Sequence, residues 1–163
     1  MSSFDSSSHR TDDLRVAEIL PLLQPALLMH EVPLREADAA FVEKERRDAE
    51  RCLRGEDDRL LVIVGPCSIH DPKSALEYGR LIATARKQYA ADLDIVMRVY
   101  FEKPRTTVGW KGFINDPNLN ESYDINNGLR GARKLLIDLA EMGVPAGTEF
   151  LDVITPQYIA DVV

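Results

Sequence analysis

The stretch Leu60-Leu61-Val62-Ile63-Val64-Gly65-Pro66-Cys67-Ser68-Ile69-His70-Asp71-Pro72 decides the fold. Five apolar residues, partly β-branched, run into Gly-Pro, which reads as a buried strand closed by a turn. Asp71-Pro72 then caps a following helix. That helix is expected over residues 74–91, with Leu76, Leu81, Ile82 and Ala85 as its apolar stripe. The unit recurs downstream. Residues 94–100 read as a second strand and 101–127 as a long loop of Gly, Asn, Asp and Pro. Residues 128–142 read as a helix with Leu129, Ala132, Leu135, Leu136 and Leu139 on one face. Residues 146–150 form a third strand, and Thr155-Pro156 opens a further helix, with proline in its favoured first turn. Apolar strands alternating with helices specify an α/β fold with a parallel, helix-covered sheet. A loop as long as 101–127 inside a compact domain is functional or disordered.

Upstream, residues 34–54 are rich in Ala, Glu, Lys and Arg and read as a helix, with Gly55 at its C-terminal cap. Pro21, Pro25 and Pro33 rule out one long helix over residues 11–32. Periodicity leaves residues 14–20 open between strand and helix. Residues 1–10 are polar and Ser-rich, lack an apolar signal core, and are expected to be disordered. Three regions follow: a tail at 1–10, an N-terminal extension at 11–54, and the α/β part at 55–163.

The chain of 163 residues suffices for one domain with a core, and its 45% hydrophobic and 29% charged residues are ordinary for a soluble protein. No apolar run is long enough to span a membrane. Two cysteines, Cys52 and Cys67, make no disulfide framework, so reduced thiols and a cytoplasmic setting are expected. A net charge of -7 argues against nucleic acid as a partner. Against that background, residues 98–111 hold Arg98, Lys103, Arg105 and Lys111 against the single acid Glu102. A cationic loop at a strand end in an acidic protein suits a small anion. Arg offers a planar fork, Lys a point charge, and Thr106 and Thr107 stand beside them.

On the residues alone, several readings stay open. Cys67 is a buried small hydrophobe or a soft metal ligand. His70 makes a Cys-x-x-His spacing with it, without the second pair a closed zinc site needs. Arg98 either binds an anion or pairs with Glu102 or Glu149. Trp110 reads as a packing anchor and Lys111 as solvated. Cys67, Arg98, Lys103, Arg105 and Glu149 all fall at or just past strand C-termini, where barrels and doubly wound sheets alike place their sites.

Residues 65–71, Gly-Pro-Cys-Ser-Ile-His-Asp, and 103–107, Lys-Pro-Arg-Thr-Thr, together resemble the hallmarks of the class I 3-deoxy-D-arabino-heptulosonate 7-phosphate (DAHP) synthases, of the bacterial type regulated by aromatic amino acids. The resemblance runs from about Asp12 to Val163. It implies the first part of a (β/α)8 TIM barrel behind an extension used for regulation or oligomerisation. A whole barrel takes about 250 residues, so a longer enzyme is expected. The implied reaction, the first of the shikimate pathway, joins phosphoenolpyruvate to erythrose 4-phosphate with a divalent metal as Lewis acid. Cys67 is the implied metal ligand, alongside a His, a Glu and an Asp from later strands; Mn, Fe, Co, Zn or Cu suits such a set. Arg98 and Lys103 match phosphoenolpyruvate contacts, and Pro104, Arg105 and Thr106 match the erythrose 4-phosphate segment. Lys103 and Glu149 fall at catalytic positions, and His70 lies nearby without ligating. Asp12, Asp13 and Pro156 match regions linked to feedback inhibition by an aromatic amino acid. A homo-oligomer is implied at full length. The competing readings are a related octulosonate 8-phosphate synthase and a non-catalytic interaction piece. The Lys103–Thr107 run and the Gly-Pro-Cys context favour the DAHP synthase over the octulosonate 8-phosphate synthase.

Overall fold

The computed structural model describes residues 16, 18–104 and 109–163. Strands Leu60–Val64 (β1), Leu93–Arg98 (β2) and Ala146–Gly147 (β3) form one parallel sheet in that order. Leu60 lies opposite Leu93 and Val64 opposite Met97; Arg98 pairs with Gly147. The helices are Pro25–Glu31 (α1), Glu36–Arg54 (α2), Pro72–Gln88 (α3), Ile125–Glu141 (α4) and Pro156–Ile159 (α5), the last followed by a 3-10 turn at Ala160–Val162. Parallel neighbours need crossovers, and α3 and α4 supply them.

Local chemistry sets the start of α3 and the end of α2 as expected. Asp71 accepts from the N–H groups of Lys73 and Ser74 and caps α3. Gly55 closes α2 in the left-handed region at φ 71°. The predicted α4 face is buried throughout, from Leu129 to Leu139, in one core cluster with Met97 and Val99 of the β2 end. The N-terminal region joins the same core rather than standing apart. Leu28 of α1 is wholly buried, the Leu23 N–H donates to Asn126 Oδ1 at 2.8 Å, and the Tyr158 hydroxyl donates to the Leu23 carbonyl. The described residues among 16–20 belong to neither helix nor strand.

Four expectations need correction. First, β1 is not buried: Leu60 and Ile63 are 65% and 60% exposed, and among the described residues β1 pairs with β2 alone. Second, Leu81 is exposed. The buried face of α3 passes through Ala75, Gly79 and Ile82, a spacing of four then three, and Leu81 lies one residue off it. Third, α3 ends at Gln88, short of residue 91. Fourth, β3 holds only two residues; the chain leaves the sheet after Gly147, and Glu149 and Phe150 are exposed.

Two buried charge clusters tie the helices to the sheet. Arg86 of α3 meets Glu45 of α2 at 2.6 Å and Asp94 of β2 at 3.5 Å. Burial raises the pKa of the Asp94 carboxyl above the usual range. On α4, Arg133 is 1% exposed. It donates to the carbonyls of Val32 at 2.7 Å and Tyr158 at 3.0 Å, and to both Asp161 oxygens at 2.6 and 2.9 Å.

Candidate active site

The chain leaves β1 through Gly65-Pro66 and reaches Cys67. A Cβ at position 65 would stand 2.7 Å from the Arg98 carbonyl oxygen, so glycine lets this turn pass close to the end of β2. The Ile69 N–H donates to the Tyr100 carbonyl at 2.7 Å and ties the turn to that end. Past β2, Glu102 bridges Gly112, and the Lys103 N–H donates to the Lys111 carbonyl at 2.9 Å. Backbone pairing therefore holds both loops, and their side chains meet. Lys103 Nζ donates to Cys67 Sγ at 3.3 Å, and Arg98 Nη2 reaches the Cys67 carbonyl at 3.4 Å. The Arg98 guanidinium sits 4.0 Å from the centre of the Tyr100 ring.

Among the described residues, Arg98 Nε, Thr148 Oγ1 and Glu102 Oε2 are buried without a hydrogen-bond partner. Such groups carry a desolvation cost that a ligand or a neighbouring group can relieve. The alternative for Arg98, an ion pair with Glu102 or Glu149, is absent among the described residues; the tyrosine ring takes that place. Glu149 lies two residues past β3 and is exposed, leaving the sheet at the end where Gly147 pairs with Arg98. Pro104 is exposed beside Lys103, and Pro156 opens α5. Arg105, Thr106, Asp12 and Asp13 lie outside the described residues. Trp110 is an anchor as expected: half-buried against the core, it donates to the Asp116 carbonyl at 2.8 Å. Lys111 is half-buried rather than fully solvated.

Sequence reasoning missed Glu102 and Thr148 as polar groups turned inward. Glu102 neighbours Lys103, and successive side chains in extended backbone point to opposite sides, which was the available signal. Burial, then the Asp152 charge, raises the pKa of the Glu102 carboxyl, while contacts with Thr155, Asn115 and the Leu151 N–H partly offset this.

Cys67 is an exposed free thiol and a suitable soft ligand. Among the described residues, however, no three His, Cys, Asp or Glu side chains gather to hold a metal. These residues alone do not make a metal site, and His70 is exposed. The cluster as it stands offers two cations and a thiol to an anionic ligand.

The sequence profile of the DAHP synthetase I family matches residues 33–163. The chain belongs to that family. It is 54% identical over 154 residues to the Phe-sensitive phospho-2-dehydro-3-deoxyheptonate aldolase of Escherichia coli (strain K12), covering 94% of this chain and 44% of that protein. The Trp-sensitive aldolase of the same strain is 55% identical over 155 residues, covering 95% and 44%. A solved phospho-2-dehydro-3-deoxyheptonate aldolase from Francisella tularensis SCHU S4 superposes with a TM-score of 0.88 at 51% identity, covering 91% of this chain and 43% of that one. The chain thus spans less than half the length of these relatives.

Proposed function

We propose that this protein is a DAHP synthase, condensing phosphoenolpyruvate with erythrose 4-phosphate. The observation that carries this reading is the meeting of Arg98, Lys103 and Cys67 at one strand end, with a buried Arg98 N–H left over for a ligand. Phosphoenolpyruvate carries a carboxylate and a phosphate. Arg98 presents a planar fork already stacked on Tyr100, and Lys103 a point charge held by its loop. Fixed cations of this kind orient an anion and stabilise charge without reorganising. The methylene carbon of phosphoenolpyruvate attacks the aldehyde carbon, water adds where phosphate was attached, and phosphate leaves. Pro104, Arg105 and Thr106 receive the aldose phosphate, with Arg105 on its phosphoryl group, and Lys103 and Glu149 stand by the reacting carbons. Cys67 is the one ligand this stretch offers the family's divalent metal; the remaining ligands come from outside these residues.

The parallel sheet is the first part of a (β/α)8 barrel on this reading, with residues 11–54 as a regulatory and oligomerisation extension of a homo-oligomer. Two relatives are named for sensitivity to Phe and to Trp. An aromatic amino acid is accordingly the effector proposed here, with Asp12, Asp13 and Pro156 at its site. Free thiols at Cys52 and Cys67 suit the cytoplasm. Among the described residues, no helix is long and apolar enough to cross a membrane.

The test is steady-state kinetics of the full-length protein with erythrose 4-phosphate and arabinose 5-phosphate in competition, repeated on Arg105→Ala. The expected result is preference for the four-carbon aldose. The KM for that aldose should rise far more in the variant than the KM for phosphoenolpyruvate. A preference for arabinose 5-phosphate would remove the reading, and equal rises in both KM values would remove the role given to Arg105.

A further inference from the structure

Cys67 and Lys103 form a pair whose chemistry extends beyond ligand binding. Lys103 Nζ lies 3.3 Å from Cys67 Sγ, in contact across two loops pinned by backbone hydrogen bonds. The thiol is exposed, so small oxidants reach it. An exposed cysteine beside cations is the setting in which thiols oxidise selectively. Sulfenic acids condense with nitrogen as well as with thiols, and here the Lys103 side-chain amine is in contact with the sulfur.

We propose that Cys67 and Lys103 form a reversible sulfur–nitrogen bond under peroxide, a redox latch that closes the site while no metal occupies the thiol. Hydrogen peroxide oxidises the Cys67 thiol to a sulfenic acid and is itself reduced to water. The Lys103 ammonium releases a proton to solvent, and its amine attacks the sulfur. The S–N bond forms, the S–O bond breaks, and the oxygen leaves as water. A thiol reductant cleaves the S–N bond and restores both side chains. The latch spares Cys67 from irreversible sulfinic acid and removes the Lys103 charge. Its effect on substrate binding rests on the function proposed above, whereas its chemistry rests only on the observed contact.

Cys52 is the internal contrast. It is half-buried, with Asp94 Oδ2 at 4.0 Å. Burial, and then the charges of Asp57 and Asp94, push its thiol up. Its environment is acidic where that of Cys67 is basic.

The experiment is peptide mass mapping of the chelator-stripped chain after treatment with hydrogen peroxide, alongside Lys103→Arg. The expected product joins the Cys67 and Lys103 peptides with two hydrogens fewer than their sum, lost on adding dithiothreitol. In Lys103→Arg the joined peptide is absent and sulfinic acid accumulates at Cys67. Recovery of Cys67 as sulfinic acid with an unmodified Lys103 in the wild type overturns the proposal. So does equal sulfinic acid in wild type and variant. A joined peptide with undiminished phosphoenolpyruvate binding keeps the latch and refutes the substrate role of Lys103 instead.

Discussion

Replacing Arg133 with Met strips a charged head from the core while leaving an apolar stem of similar length. Arg133 is 1% exposed and holds three elements together: the Val32 carbonyl after α1, the Tyr158 carbonyl in α5, and Asp161 in the following turn. Its loss leaves two inward carbonyls without their donor, at about 1–3 kcal/mol each. Asp161 is 36% exposed on its side chain and can rehydrate, so its own loss is smaller. A cost of about 3–5 kcal/mol results, in line with breaking a buried pair by removing one partner. That is a large share of the roughly 5–15 kcal/mol that holds a domain folded. Urea unfolding followed by circular dichroism reads the change as a shift in midpoint at constant m-value. Asp161→Asn is the control and should lose only about 1 kcal/mol, because both carbonyls keep their donor. A loss under about 1 kcal/mol for Arg133→Met, or equal losses for the two variants, would refute the reasoning that the carbonyl contacts dominate.

Two further outcomes follow from close contacts and burial. A methyl group at Gly128 would lie 2.0 Å from the Ile114 carbonyl oxygen, so Gly128→Ala should cost about 2–3 kcal/mol by forcing α4 off the loop before it. Gly143→Ala, which meets no atom but sits at φ 72°, should cost only about 1–2 kcal/mol; the same unfolding assay ranks the two. Glu102 has a raised folded pKa, so its ionised form is disfavoured in the native state. Its penalty is present above the folded pKa and vanishes as the carboxyl protonates toward its ordinary value of 4.5. Glu102→Gln should therefore raise the urea midpoint at pH 7 and flatten its pH dependence above 4.5; a lower midpoint at pH 7 would contradict the assignment.

The sequence by itself determined the strand–helix alternation, the α3 cap at Asp71, the α2 stop at Gly55 and the apolar face of α4. Each depends on neighbours within a few residues, where periodicity and capping chemistry act. It also singled out Cys67, Arg98 and Lys103, since strand ends and charge sign are legible locally. Only the tertiary structure decided that Lys103 touches the Cys67 thiol, a contact between residues 36 apart in the chain. It likewise decided that Arg133 is a core residue, because its carbonyl partner Val32 lies 101 residues away. The exposure of β1 and Leu81, the shortness of β3 and the inward turn of Glu102 belong with these. A charged or apolar side chain is buried or exposed according to what long-range packing brings against it, and no local pattern encodes that.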